Sequence, residues 1–94
     1  MDQTIAVKRL GELGHDTRMS VFRLLVKAGK KGMVVGDIQR HLDVSAPNLS
    51  HHIHRLIGVG LIRQKRDGRS LYCYAELDAL REIMNFLEAE CCTL

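Results

Sequence analysis

The chain has 94 residues, enough for one domain near the lower edge of what a single apolar core stabilises unaided. Hydrophobic residues make up 46%, the formal net charge is +3 and the sequence pI is about 9.0, a modest excess that permits a polyanionic partner without demanding one. No apolar run approaches the roughly 20 residues of a membrane helix and the N-terminus lacks a signal-peptide pattern, so no helical span is expected and a cytoplasmic location follows.

In chain order, Ile5, Ala6, Leu10 and Leu13 recur at helical spacing and predict a first helix over Gln3 to Leu13, ended by Gly14. Asp16 is the expected cap of a second helix that carries Met19, Phe22, Leu25 and Val26 and stops near Ala28-Gly29. Lys30, Lys31 and Gly32 form a loop, and Met33-Val34-Val35 reads as a short extended piece able to pair with a later hairpin. Asp37 is the expected cap of a third helix that buries Ile38 and Leu42. Ser45 caps the fourth, with Pro47 in its first turn, where the missing amide has no helical partner. Gly58 and Gly60 end that helix. Leu61 to Arg66 and Arg69 to Ala75 alternate like two strands joined by Asp67-Gly68, a dipeptide suited to a type I′ turn. Leu77, Leu80, Ile83, Met84 and Leu87 make the apolar stripe of a last helix, expected over residues 77–92.

This order predicts an α+β, mainly α fold: a single winged helix-turn-helix domain over residues 1–94, with the helix-turn-helix at 37–58 and the wing at 61–75. Such a module sets its second helix in the major groove of duplex DNA. The first and last helices, residues 1–13 and 77–92, lie outside that core and are amphipathic, so they are expected to pair with a second copy. A homodimer also suits two half-sites one helical turn apart.

At about 100° per residue, Leu49, Ile53 and Leu56 of the fourth helix fall in a narrow arc and face the core. Pro47, Ser50, His51, His54 and Arg55 fall on the opposite side, with Asn48 at its edge. These supply hydroxyl, amide, imidazole and guanidinium groups, the types that address base edges and phosphates. Taken alone, that face is more often ordinary solvated surface; the adjoining wing turns the reading toward DNA. His51 and His54 share a face, but no carboxylate or thiol lies near in sequence to complete tetrahedral zinc. His52 borders the apolar stripe and reads as a packed structural histidine, while His15 and His41 stand isolated. In the wing, Arg63, Lys65, Arg66 and Arg69 surround a projecting turn, where long cations reach phosphates or the minor groove. The candidate DNA set is therefore Asn48, Ser50, His51, His54, Arg55 and the four wing cations, with Ser45 orienting the helix.

These residues resemble the ArsR/SmtB family of bacterial winged-helix repressors over nearly the whole chain. Gly14-His15-Asp16-Thr17-Arg18 resembles the start of the family's second helix. Ser45 to Ile53 resembles its recognition-helix motif, with Ser50 and His52 at the recurring Ser and His positions, and Gly60-Leu61-Ile62, Asp67-Gly68-Arg69 and Tyr72 to Tyr74 resemble its wing. The resemblance implies a homodimeric repressor, built on the first and last helices, that leaves its operator when an inducer binds, commonly a metal or metalloid ion. Two of the family's inducer sites are missing. Val34 to Asp37 contains no thiol for the Cys-x-Cys site, and no histidine follows His54 for the zinc site of the last helix.

Three cysteines do not make a disulfide framework, and in a reducing compartment thiols point to metalloid, metal or redox chemistry. Cys91-Cys92 resembles the ending of a branch that senses arsenite through vicinal C-terminal cysteines, and thiolates select soft ions such as As(III) and Sb(III). Methylarsenite needs only two sulfurs. Inorganic As(III) prefers a third, for which Cys73, a partner chain or a small thiol are the available sources. The alternatives are a thiol-redox-responsive repressor, a regulator without a metal inducer, and a Cys91 that merely packs four residues after Leu87. No cofactor is implied beyond the inducer, and no nucleophile elbow, phosphate loop or carboxylate pair supports an enzyme.

Overall fold

The computed structural model describes residues 1–94. Five helices and a small sheet follow in the order α1 Gln3–Leu13, α2 Asp16–Ala28, β1 Met33–Val34, α3 Val35–Leu42, α4 Ala46–Gly58, β2 Ile62–Asp67, β3 Ser70–Ala75 and α5 Leu77–Glu88, with a 3-10 turn at Gly29–Lys31. The strands are antiparallel in the order β1-β3-β2, so Met33-Val34 does pair with the hairpin, at Met33↔Cys73 and Val34↔Tyr72. This is the mainly α winged helix-turn-helix that the sequence predicts.

The helix starts differ from expectation in two places. His15, not Asp16, caps α2: its Nδ1 accepts from the Thr17 amide at 3.2 Å, and Asp16 is the first helical residue. Asp37 does not cap α3, which already begins at Val35; Asp37 lies in the first turn, where its charge suits the helix dipole, and pairs with Arg40. Ser45 holds the N-cap of α4 through its carbonyl, which accepts from the Leu49 amide at 2.9 Å, while its hydroxyl makes no capping bond.

The hairpin turn is displaced by one residue. Asp67 pairs with Ser70, leaving Gly68-Arg69 as the loop, with φ +61° at Gly68 and no positive φ at Arg69. A positive φ at the first central residue alone is the type II′ pattern, not the expected I′, and glycine adopts it without a Cβ penalty.

One core joins all the elements. Val21, Phe22 and Leu25 of α2, Ile38 of α3, Leu49, Ile53 and Leu56 of α4, Leu61, Ile62 and Cys73 of the hairpin and Ile83 of α5 are all buried in it. The arc of Leu49, Ile53 and Leu56 thus seats α4, and fixes by elimination which side it turns outward. Leu42 is only partly buried. In α1 and α5 the predicted stripes split: Ala6, Leu13 and Ile83 are buried, whereas Ile5, Leu10, Met84 and Leu87 are exposed; outside those stripes Ala79 is buried and Val7 exposed.

The last helix is shorter than expected. α5 ends at Glu88, and Cys91 and Cys92 follow it in turns, with positive φ at Glu90 and Cys92.

Candidate nucleic-acid interface

Ser45, Asn48, Ser50, His51, His54 and Arg55 are all exposed, as are Arg63, Lys65, Arg66 and Arg69 of the wing. Their partners divide them. His54 Nδ1 lies 2.8 Å from the Ser50 carbonyl, which only accepts, so Nδ1 carries the proton. In the neutral ring Nε2 is then left as an outward acceptor, suited to the exocyclic amines that adenine and cytosine show in the major groove. The Ser50 hydroxyl sits 3.4 Å from the same imidazole, so Ser50 and His54 present one polar unit.

Arg55 is engaged elsewhere. Its Nε and Nη2 donate to the Glu12 carboxylate at 3.0 and 2.8 Å, a two-pronged pair between α4 and α1 that holds the Glu12 carboxyl below the usual range. Arg63 is also occupied: it donates to Glu76 at 2.7 Å and stacks on the Tyr74 ring at 4.2 Å, directed at the start of α5. Lys65, Arg66 and Arg69 have no ion-pair partner. Alternation on β2 puts Arg66 on the face of Ile62 and Gln64, which turns toward the core, and puts Lys65 with Arg63 opposite Tyr72 and Tyr74. The wing therefore offers cations on both faces and at its tip.

The residues that fix α4 from below carry no signal in the sequence pattern. Arg9 of α1 donates from Nε to the Val59 carbonyl at 3.0 Å, satisfying an acceptor at the C-terminal end of α4, and reaches Glu82 of α5 at 3.3 Å. Arg18 of α2 donates to the Glu12 carbonyl at 2.7 Å and lies 3.3 Å from His52 Nδ1. An arginine only donates, so His52 accepts there and is neutral. Burial, then the neighbouring His15, Arg18 and His51, hold the His52 pKa below the ordinary value. The expectation of a packed His52 holds. His15, which carries no signal in the sequence, caps α2 and lies 4.7 Å from the His52 ring. No periodicity marks these polar ties, because they join residues far apart in sequence.

The thiols are likewise separated. Cys73 is fully buried in β3, where Gln64 Nε2 donates to its sulfur at 3.4 Å, and burial pushes its thiol pKa up. That position removes it as a ligand shared with the C-terminus. Cys91 and Cys92 are exposed and adjacent in the turns that follow α5. No cluster of three or more His, Cys, Asp or Glu side chains is set to hold a metal ion, the recognition-helix histidines included.

An outward polar helix face, anchored by a buried arc and flanked by a hairpin with three unpaired cations, defines a winged helix-turn-helix DNA-binding regulator. Comparison with known proteins agrees. A family model described as a helix-turn-helix domain matches residues 13–65. The transcriptional repressor SdpR of Bacillus subtilis (strain 168) is 32% identical over 75 residues, 80% of this chain and 80% of the relative. Among solved structures, an ArsR-like transcriptional regulator from Rhodococcus sp. RHA1 superposes with a TM-score of 0.81 at 21% identity, over 92% of this chain and 78% of the other. The homodimeric winged helix-turn-helix DNA-binding domain of Mb0332 from Mycobacterium bovis gives 0.76 at 18% identity, over 95% and 87%. The chain belongs to the ArsR/SmtB family of winged-helix transcriptional repressors. No helix is long and apolar enough to cross a membrane.

Proposed function

We propose that this chain is a homodimeric operator-binding repressor whose release is controlled at Cys91 and Cys92. Asn48, Ser50, His51 and His54 read base edges in the major groove, and Lys65, Arg66 and Arg69 hold the flanking backbone. The dimer is built on α1 and α5. Ile5, Val7 and Leu10 are 39–60% exposed and Met84 and Leu87 are 54% and 63% exposed, on two helices that touch through Arg9 and Glu82. Unpartnered apolar side chains at this density on a small domain favour a second copy as the cover.

The observation that carries the control site is the adjacency of two exposed sulfurs just beyond the dimer helix. As reduced thiolates they offer two soft ligands to As(III), Sb(III) or methylarsenite. For inorganic As(III) the third sulfur then comes from a partner chain or a small thiol, since Cys73 is in the core. Capture of the ion reorganises the segment that follows α5 and lowers the population of the DNA-competent dimer. By linkage, DNA weakens inducer binding by the same factor. A second reading is that oxidation of these two exposed, adjacent thiols is itself the signal.

One experiment separates the readings: DNA release by arsenite, methylarsenite, Zn(II) and peroxide, for the wild type and for Cys91→Ser/Cys92→Ser. The metalloid reading expects release by the arsenicals from the reduced wild type only. The redox reading expects release by peroxide, reversed by reductant. A double variant that still answers arsenite rejects the sensor site.

A further inference from the structure

α1 grips α4 at two points one helical turn apart. Arg9 holds the Val59 carbonyl at the end of α4, and Glu12 holds Arg55 with two bonds of 3.0 and 2.8 Å. Glu12 is mostly covered, its side chain 17% exposed, and it also lies 3.4 Å from Arg18 Nε, which pins it from α2. Arg18 continues to His52 on α4, so three helices meet around one carboxylate. Arg55, by its place on the outer face of α4, belongs with the DNA-reading residues. Its guanidinium nevertheless turns back to Glu12, in the fork geometry that fixes orientation as well as distance.

We propose that Glu12 is the positioning residue of the DNA-reading helix, using Arg55 as a strut between α1 and α4, so that Arg55 sets the tilt of Ser50, His51 and His54 and is not itself a phosphate contact. The inference rests on the reading of α4 as the DNA-binding helix. It gives α1, an amphipathic helix with exposed Ile5, Val7 and Leu10, a direct mechanical link to the base-reading face. A shift of α1 would pass to α4 through the Glu12–Arg55 strut and the Arg9–Val59 bond.

The two roles of Arg55 differ in the salt dependence of binding. A phosphate contact contributes about 0.9 to the slope of log K against log salt, whereas a strut contributes nothing. The test uses the full chain and a labelled duplex that the wild type selects from a random-sequence pool, with an unselected duplex as the non-specific reference. Glu12→Gln, Arg55→Ala and Arg55→Lys are each expected to lose affinity for the selected duplex by on the order of tenfold, within the range of couplings between linked sites. Their salt slopes and their affinity for the unselected duplex stay at the wild-type values. The double variant Glu12→Gln/Arg55→Ala loses no more than the singles, because one interaction is removed once. Lysine keeps the charge but not the fork, so Arg55→Lys does not rescue.

Tighter binding by Glu12→Gln, together with a shallower slope in Arg55→Ala, would make Arg55 a phosphate contact that Glu12 restrains, and would overturn the proposal. So would wild-type affinity in all three variants, rescue by lysine, or equal losses on both duplexes in variants whose circular dichroism matches the wild type. Arg55 is half exposed, so Arg55→Ala tests the idea even where Glu12→Gln is poorly folded. A wild type that selects no duplex refutes the DNA reading itself, a separate outcome.

Discussion

Gly32 offers a sharp test of how the wing is rooted. It sits immediately before β1 with φ 65° and ψ −169°, a region that only glycine occupies readily. A Cβ placed there would lie 2.7 Å from the Cys73 carbonyl oxygen and 2.5 and 2.7 Å from two atoms of the Tyr74 ring. The tyrosine can turn away, but the carbonyl belongs to the β3 backbone that pairs with Met33 and cannot. Gly29 has nearly the same backbone, φ 66° and ψ −144°, yet a Cβ there meets nothing within 4 Å. The pair therefore separates conformational strain from steric clash. Gly29→Ala is expected to cost about 1–3 kcal/mol from strain alone, and Gly32→Ala about 2–6 kcal/mol once overpacking is added. Urea unfolding followed by far-UV circular dichroism, at one fixed protein concentration, measures both. Equal costs for the two substitutions would refute the close approach of Gly32 to β3, and with it the Met33↔Cys73 register that anchors the wing.

Three further outcomes follow from the same geometry. Lys65→Ala, Arg66→Ala and Arg69→Ala should each weaken binding to selected and unselected duplex alike and lower the salt slope by about 0.9, while His51→Ala should weaken only the selected one; unchanged affinity in both Arg66→Ala and His51→Ala rejects the face. Acid should destabilise the fold in two stages. His52 has a lowered pKa, so the unfolded chain binds its proton first and stability falls as pH drops through about 6.5; Glu12 is also lowered, so its contribution is present above the ordinary carboxylate range and lost below it. His52→Asn should flatten the first stage in a series of melting temperatures against pH, and an unaltered first stage contradicts the assignment. In the reduced protein, Cys91 and Cys92 should react rapidly with an aromatic disulfide reagent and Cys73 only after denaturation; a third fast thiol would show that the core around Gln64 is open.

Most of the fold is legible in the sequence because it rests on apolar periodicity and turn chemistry. The arc of Leu49, Ile53 and Leu56 marks the seat of α4, and the alternation after Gly60 marks the hairpin. What escapes is set by polar contacts between distant residues. His15 caps α2 because its imidazole reaches the Thr17 amide, and Asp16 loses that role although aspartate is the commoner cap. The hairpin turn slips to Gly68-Arg69 because Asp67 continues the ladder opposite Ser70. The candidate interface is legible as a list of side chains but not as a set of free groups. Helical angle places Arg55 outward, and only the fold reveals that Glu12, 43 positions earlier, turns it back. Similarly, β alternation exposes Arg63 without showing that Tyr74 and Glu76 hold it. The end of α5 before the cysteines is missed because no glycine or proline follows Leu87, the last residue of the apolar stripe, before Cys92.

The central claim is that the outer face of α4 reads DNA sequence. Its most direct test is the ratio of affinities for the selected and unselected duplexes at a fixed salt concentration, for the wild type and for Ser50→Ala/His54→Ala. The expected wild-type ratio is about 10³ or more, the range of specific DNA readers, collapsing by at least tenfold in the double variant while non-specific affinity holds. A wild-type ratio near one, or a ratio untouched by the double variant, would contradict it.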